Sequence, residues 1–209
     1  MRLGEFGMAR DIFEEALDTQ SMGGVKTVRD FGLVFNAYLK FENQLLDIED
    51  QLPLEMGDVQ DQALLQDFRH FRIRNLLSRR AFVLSDVLLN ANPHDTEQWL
   101  TRIKLCDSLD DPSIKAQVYS RAILNIDPQQ ALGDFSKVWI SFAHFLESID
   151  EEEGDDLENA NLVFHKAAQV NFKTNEERAS IILAWAEMHV HNNNLDSAVE
   201  ILKYACSNK

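Results

Sequence analysis

This sequence predicts an all-α fold, a solenoid of stacked helix pairs, and three observations carry the prediction. Helix breakers are scarce, with eight Gly and four Pro in 209 residues, too few for the frequent turns of a β-sandwich. A small–large–small motif recurs, in which an aromatic residue or leucine stands four positions after one small residue and three before another. It reads Ala9–Phe13–Ala16, Ala160–Phe164–Ala167 and Ala198–Leu202–Ala205, with a looser copy at Lys115–Tyr119–Ala122. Steps of four and three place the members on one helix face, where alanines let a neighbouring helix approach and the larger residue fills the gap. The third observation is a stripe at three-residue steps ahead of each later copy: Phe35–Tyr38–Phe41, Trp99–Arg102–Leu105, Trp139–Phe142–Phe145 and Ile182–Trp185–Met188.

Spacing joins the two patterns. Trp99 to Tyr119 and Ile182 to Leu202 are each twenty residues, and Trp139 to Phe164 is twenty-five. A striped first helix is thus followed, at near-constant distance, by a second helix with the alanine motif, the arrangement of a tetratricopeptide-type solenoid.

The elements follow in order. Residues 8–19 carry the first alanine motif and 28–46 the first stripe. Residues 62–90 form a long second helix after a loop, Asp47–Gln62, in which Pro53 and Gly57 forbid continuous helix. Asp95 or Thr96 caps 95–107 after Pro93. Pro112 sits near the first turn of 113–126, where its missing N–H costs nothing. Pro128 and a Gly-containing loop separate that helix from 135–149. Helices at 156–171, 176–192 and 195–207 complete the chain, the last two joined by the polar turn in "VHNNNLDSA". The 209 residues therefore divide as a second helix alone (1–19) and four repeats, 28–90, 95–127, 135–172 and 175–207. An unpaired second helix at the start suggests a fragment of a longer array, able to self-associate through that truncated end.

Composition excludes several functions. A net charge of −15 opposes unaided binding to a nucleic-acid backbone. Cys106 and Cys206 lack metal or redox spacing and read as two buried reduced thiols. No stretch approaches the ~18 uninterrupted apolar residues of a membrane helix, so no membrane partner is expected. His189 and His191 point to different sides of a helix and have no nearby third ligand. No nucleophile elbow, phosphate loop or spaced acid–base pair is present, so neither enzyme activity nor a cofactor is expected.

Two charged segments stand out. "LESIDEEEGDDLEN" holds eight acidic residues between Glu147 and Glu158 and fails the calcium-loop template; its five clustered negatives from Asp150 to Asp155 read as a solvated inter-helix loop, with a docking strip for a basic partner segment as the alternative. "DFRHFRIRNLLSRR" concentrates five arginines, of which Arg69, Arg72, Arg79 and Arg80 fall within a helical arc of roughly 100°. Pairing with neighbouring acidic groups and contact with an acidic protein or RNA backbone both fit that arc.

The Trp-x-x-aromatic first helices and "ARDIFEEAL" resemble half-a-TPR (HAT) repeats of RNA-processing factors. "TVRDFGLVFNAYLKFE", "LLSRRAFVLSDVLLNANPHDTEQW", "VWISFAHFLE" and "KAAQVNFKTNEERASI", in that order, are similar to the middle of the SYF-type splicing factors. "SRRAFVLSDVLLNANPH" is the most distinctive string, because repeat packing does not dictate it. The resemblance implies a nuclear, non-catalytic scaffold of the spliceosome within the NineTeen Complex. It implies a crooked-neck-like HAT protein among the partners, with direct RNA contact secondary. A HAT scaffold of another machine, in 3′-end cleavage or ribosome assembly, is the alternative.

Overall fold

The computed structural model describes residues 3–51, 59–109, 111–153 and 157–207. Among the described residues there are nine α-helices and no strand, only a single bridge between Asp95 and Leu132. They form two compact units, Met1–Asn92 and Pro93–Lys209.

The first unit contains α1 (Leu3–Leu17), α2 (Val28–Gln51) and α3 (Val59–Ala91), with α1 packed on α2 and α2 on α3. Phe31, Phe35 and Tyr38, at steps of four and three, turn one face of α2 into the core. Each such ring contributes roughly 1.5–3 kcal/mol on full burial. Phe13 of α1 stacks on Tyr38 with ring centres 4.8 Å apart and meets Phe41 at 5.6 Å. Leu76 and Val87 of α3 close the cluster. The turn from α1 to α2 requires Gly24, since a Cβ there would collide with the Asp18 carbonyl. The Val25 N–H donates to the Ala16 carbonyl at 2.9 Å, and the Thr27 hydroxyl accepts the Asp30 N–H at 3.1 Å to open α2.

The second unit contains α4 (Thr96–Cys106), α5 (Pro112–Asn125), α6 (Ser136–Glu153), α7 (Glu158–Ala167), α8 (Asn175–His191) and α9 (Leu195–Ser207). Each helix packs on the next, and α4 meets α6 as α6 meets α8, so first helices of successive pairs stack directly. Caps set the starts. Asp95 accepts the N–H groups of Glu97 and Gln98, Asp111 accepts that of Ser113, and Thr174 forms a reciprocal capping box with Glu177. The second Glu177 oxygen also accepts the Phe135 N–H at 2.9 Å, tying the start of α6 to that of α8. Around it Phe135 packs edge to face with Trp139 at 6.2 Å and tilted against Phe172 at 5.9 Å.

The expected loops are shorter than the sequence suggests. α2 runs to Gln51 and α3 begins at Val59, so both ends of the expected loop Asp47–Gln62 are helical; Pro53 and Gly57 lie outside the described residues. α6 likewise runs past the expected end at residue 149 to Glu153, which places Asp150 to Glu153 on a helix rather than in a solvated loop. The reason is common to both. Neither "LLDIEDQ" nor "ESIDEEE" contains a breaker, and glutamate is a good helix former whatever its charge. α7 is shorter than expected, ending at Ala167 rather than residue 171. Cys106 is buried as expected, but Cys206 is exposed on α9.

Candidate functional site

The arginine-rich segment lies on α3, and the structure gives its cations different tasks. Arg79 reaches α1, where its two terminal nitrogens donate to the two Glu14 oxygens at 2.7 and 3.0 Å. The Tyr38 hydroxyl donates to the same carboxylate at 3.0 Å, so one residue from each helix of the first unit meets there. The hydrogen bond from Arg79 pulls the Glu14 carboxyl below its ordinary value against the opposing effect of burial. Burial first, then the Glu14 charge, pushes the Tyr38 phenol well up. Arg79 is thus engaged within the unit.

Arg69 is half-buried and partnered. Arg80 lies over the Phe35 ring at 5.6 Å and Arg72 over the Phe68 ring at 4.4 Å. Arg74, outside the arc drawn from sequence, is exposed and borders a groove of about 350 Å³ between α2 and α3 with Asn43, Leu46, Asp67, His70 and Ile73. Among the described residues no carboxylate pairs with Arg72, Arg74 or Arg80. Beside them Leu64, Phe68 and Phe71 are 64%, 51% and 54% exposed. Sequence reasoning missed Arg74 and this apolar stripe, although their helical positions were available to it.

The residues assigned to repeat packing mostly face inward. Phe35, Tyr38, Trp99, Tyr119, Ala122, Trp139, Ala160, Phe164, Ala167 and Ala198 are buried. Ala9, Phe13, Ala16, Phe41, Phe142, Trp185 and Ala205 are half-buried. Tyr119 stacks on Phe142 at 4.9 Å between α5 and α6, and Phe164 on Trp185 at 6.2 Å between α7 and α8. Leu202 departs from the pattern at 40% exposure. With Ile182, Leu183 and Tyr204 it lines an apolar groove of about 730 Å³ on α8 and α9; among the described residues α8 is the helix that packs on α9.

A polar cluster inside the second unit was not legible beforehand. The Asn161 side-chain oxygen accepts from Trp185 Nε1 at 2.9 Å and lies 2.8 Å from Nε2 of buried His189. His189 Nδ1 is buried with no partner, which assigns the proton to Nε2 and keeps the ring neutral; burial holds its pKa below the ordinary value. His191 is exposed. Glu147 joins the same region, 3.0 Å from His144 and accepting from Asn192 at 2.9 Å. Among the described residues no group of three His, Cys, Asp or Glu is placed to hold a metal ion.

Comparison with known proteins places this geometry in context. Residues 1–126 match the family model described as the pre-mRNA-splicing factor SYF1 middle HAT repeat. Residues 128–209 match that of the Syf1/CRNKL1 C-terminal HAT repeat. Pre-mRNA-splicing factor SYF1 of Dictyostelium discoideum is 35% identical over 205 residues, 97% of this chain and 23% of the relative. Pre-mRNA-splicing factor cwf3 of Schizosaccharomyces pombe is 33% identical over 202 residues, 97% of this chain and 24% of the relative. The Homo sapiens SYF1 protein is 33% identical over 205 residues, 98% of this chain and 23% of the relative. The chain therefore spans less than a quarter of the length of each of these three.

Proposed function

Because this chain belongs to the SYF1 family of HAT-repeat pre-mRNA-splicing factors, we propose that it is a scaffold segment of the nuclear splicing machinery. It supports pre-mRNA splicing without catalysis, as part of the NineTeen Complex, and a crooked-neck-like HAT protein is among its partners. Its two units are read as successive stretches of one repeat array. The observation that carries the reading is that two adjacent HAT-repeat matches cover residues 1–126 and 128–209.

The side chains support a binding role over a chemical one. Glu14 is engaged by Arg79 and Tyr38, and the Asn161 oxygen by Trp185 and His189, inside their units. What the surface offers instead is helix face, and the mechanism is positional, with side chains on packed helices holding other subunits at set places. Of the four arginines singled out from sequence, Arg72 and Arg80 are the more available to a partner and Arg79 the least.

The test is recovery of bound proteins from nuclear extract on the affinity-tagged chain, identified by mass spectrometry. The expected result is enrichment of spliceosomal proteins, including a crooked-neck-like protein. Phe164→Asp, which puts a carboxylate at a site with no solvent exposure, should unfold the second unit and lose those docked on it. Enrichment of 3′-end cleavage or ribosome-assembly factors in place of spliceosomal proteins would overturn the reading.

A further inference from the structure

The scaffold reading leaves open what the arginine-rich helix binds, and the geometry of α3 points to one chemistry. Leu64, Phe68 and Phe71 follow steps of four and three, so they form a ridge along one line of the helix, about 10 Å long. All three are more than half exposed. Arg72 and Arg74 flank that ridge, each displaced by roughly 80° around the helix axis and on opposite sides. Neither has an anionic partner among the described residues, in a chain whose net charge is −15 and which could have paired them easily. An apolar ridge flanked on each side by one arginine that makes no ion pair among the described residues, with Asp67 also on the Arg74 side, complements an amphipathic helix whose apolar stripe is bordered by carboxylates.

We propose that this face of α3 docks an acidic amphipathic helix of another polypeptide, an inference that rests on the scaffold reading above. The apolar ridge supplies contact area, and the two arginines set register and orientation through forked hydrogen bonds to aspartate or glutamate. The same details disfavour RNA. Arg72 already covers one face of the Phe68 ring at 4.4 Å, which removes a platform on which a base would stack. Leu64 offers no stacking face at all, and the overall negative charge repels a phosphate backbone.

The experiment places the photo-crosslinker p-benzoylphenylalanine at Phe71 of the 209-residue chain, irradiates it in nuclear extract, and sequences the adduct. The expected adduct is a peptide of another protein with apolar residues at three- and four-residue steps and flanking Asp or Glu. That peptide, synthesised and fluorescently labelled, should bind the purified chain and lose at least tenfold in affinity to Arg72→Glu/Arg74→Glu. If the charge-reversed chain melts early, Arg72→Gln/Arg74→Gln serves instead and should still weaken binding severalfold. An RNA adduct, a peptide without acidic flanks, no adduct, or an affinity indifferent to both variants overturns the proposal. Spliceosomal proteins recovered on the tagged chain without an adduct at Phe71 would sink this docking face alone. Failure to recover them would sink the scaffold reading itself.

Discussion

Two ion pairs in the first unit look alike on paper and differ in what surrounds them. Arg10 donates to both oxygens of Glu42 at 2.6 and 3.2 Å, and Glu42 is buried, so Arg10→Ala would strand a carboxylate away from water. A loss of about 3 kcal/mol is expected in urea unfolding. Glu14 and Arg79 are each more than a third exposed, and screening by solvent limits Glu14→Ala to about 1 kcal/mol in the same measurement. In the second unit Asn161→Ala leaves Trp185 Nε1 and His189 Nε2 without their acceptor, a cost of about 2 kcal/mol. His189 also sets a pH dependence. Its folded pKa lies below the ordinary 6.5, so as pH falls through that value the unfolded chain takes up the proton first and stability is lost. Thermal melting should therefore fall between pH 7 and pH 5.5, and His189→Gln should remove that component. Glu14, also held low, adds a further loss only as pH falls below its ordinary 4.5. None of these pairings is legible in the sequence: the acceptor on Asn161 serves donors 24 and 28 residues away, and nothing local marks it.

Helices and their contact faces are much more legible than their ends. Steps of three and four in Ala160–Phe164–Ala167 specify a face whatever lies opposite, and all three residues are buried. Ala122 is fully buried on α5. Ala122→Leu should cost roughly 1–3 kcal/mol, whereas Leu202→Ala on the exposed side of α9 should cost less than about 1 kcal/mol, both read from chemical denaturation. The motif includes Leu202 and Ala122 on equal terms; only packing separates them. The acidic run from Asp150 to Glu153 continues α6 beyond the expected end at residue 149, because clustered carboxylates do not by themselves break a helix. Arg74 was passed over because an arc drawn around arginines alone ignores the exposed ridge of Leu64, Phe68 and Phe71 that gives it a role.

At the level of the whole molecule, membership of the SYF1 family and the repeated helix pairs point to a protein that works by holding others. The proposed scaffold role should rest on protein contacts and not on RNA, since the net charge is −15 and Arg72 and Arg74 flank an apolar ridge. The measurement that tests this most directly is sedimentation of the labelled chain through a glycerol gradient after incubation in splicing extract, with and without nuclease. The chain is expected to travel with a multi-protein splicing particle and to stay with it after nuclease treatment. A chain that sediments alone, or that is released when RNA is digested, would contradict it.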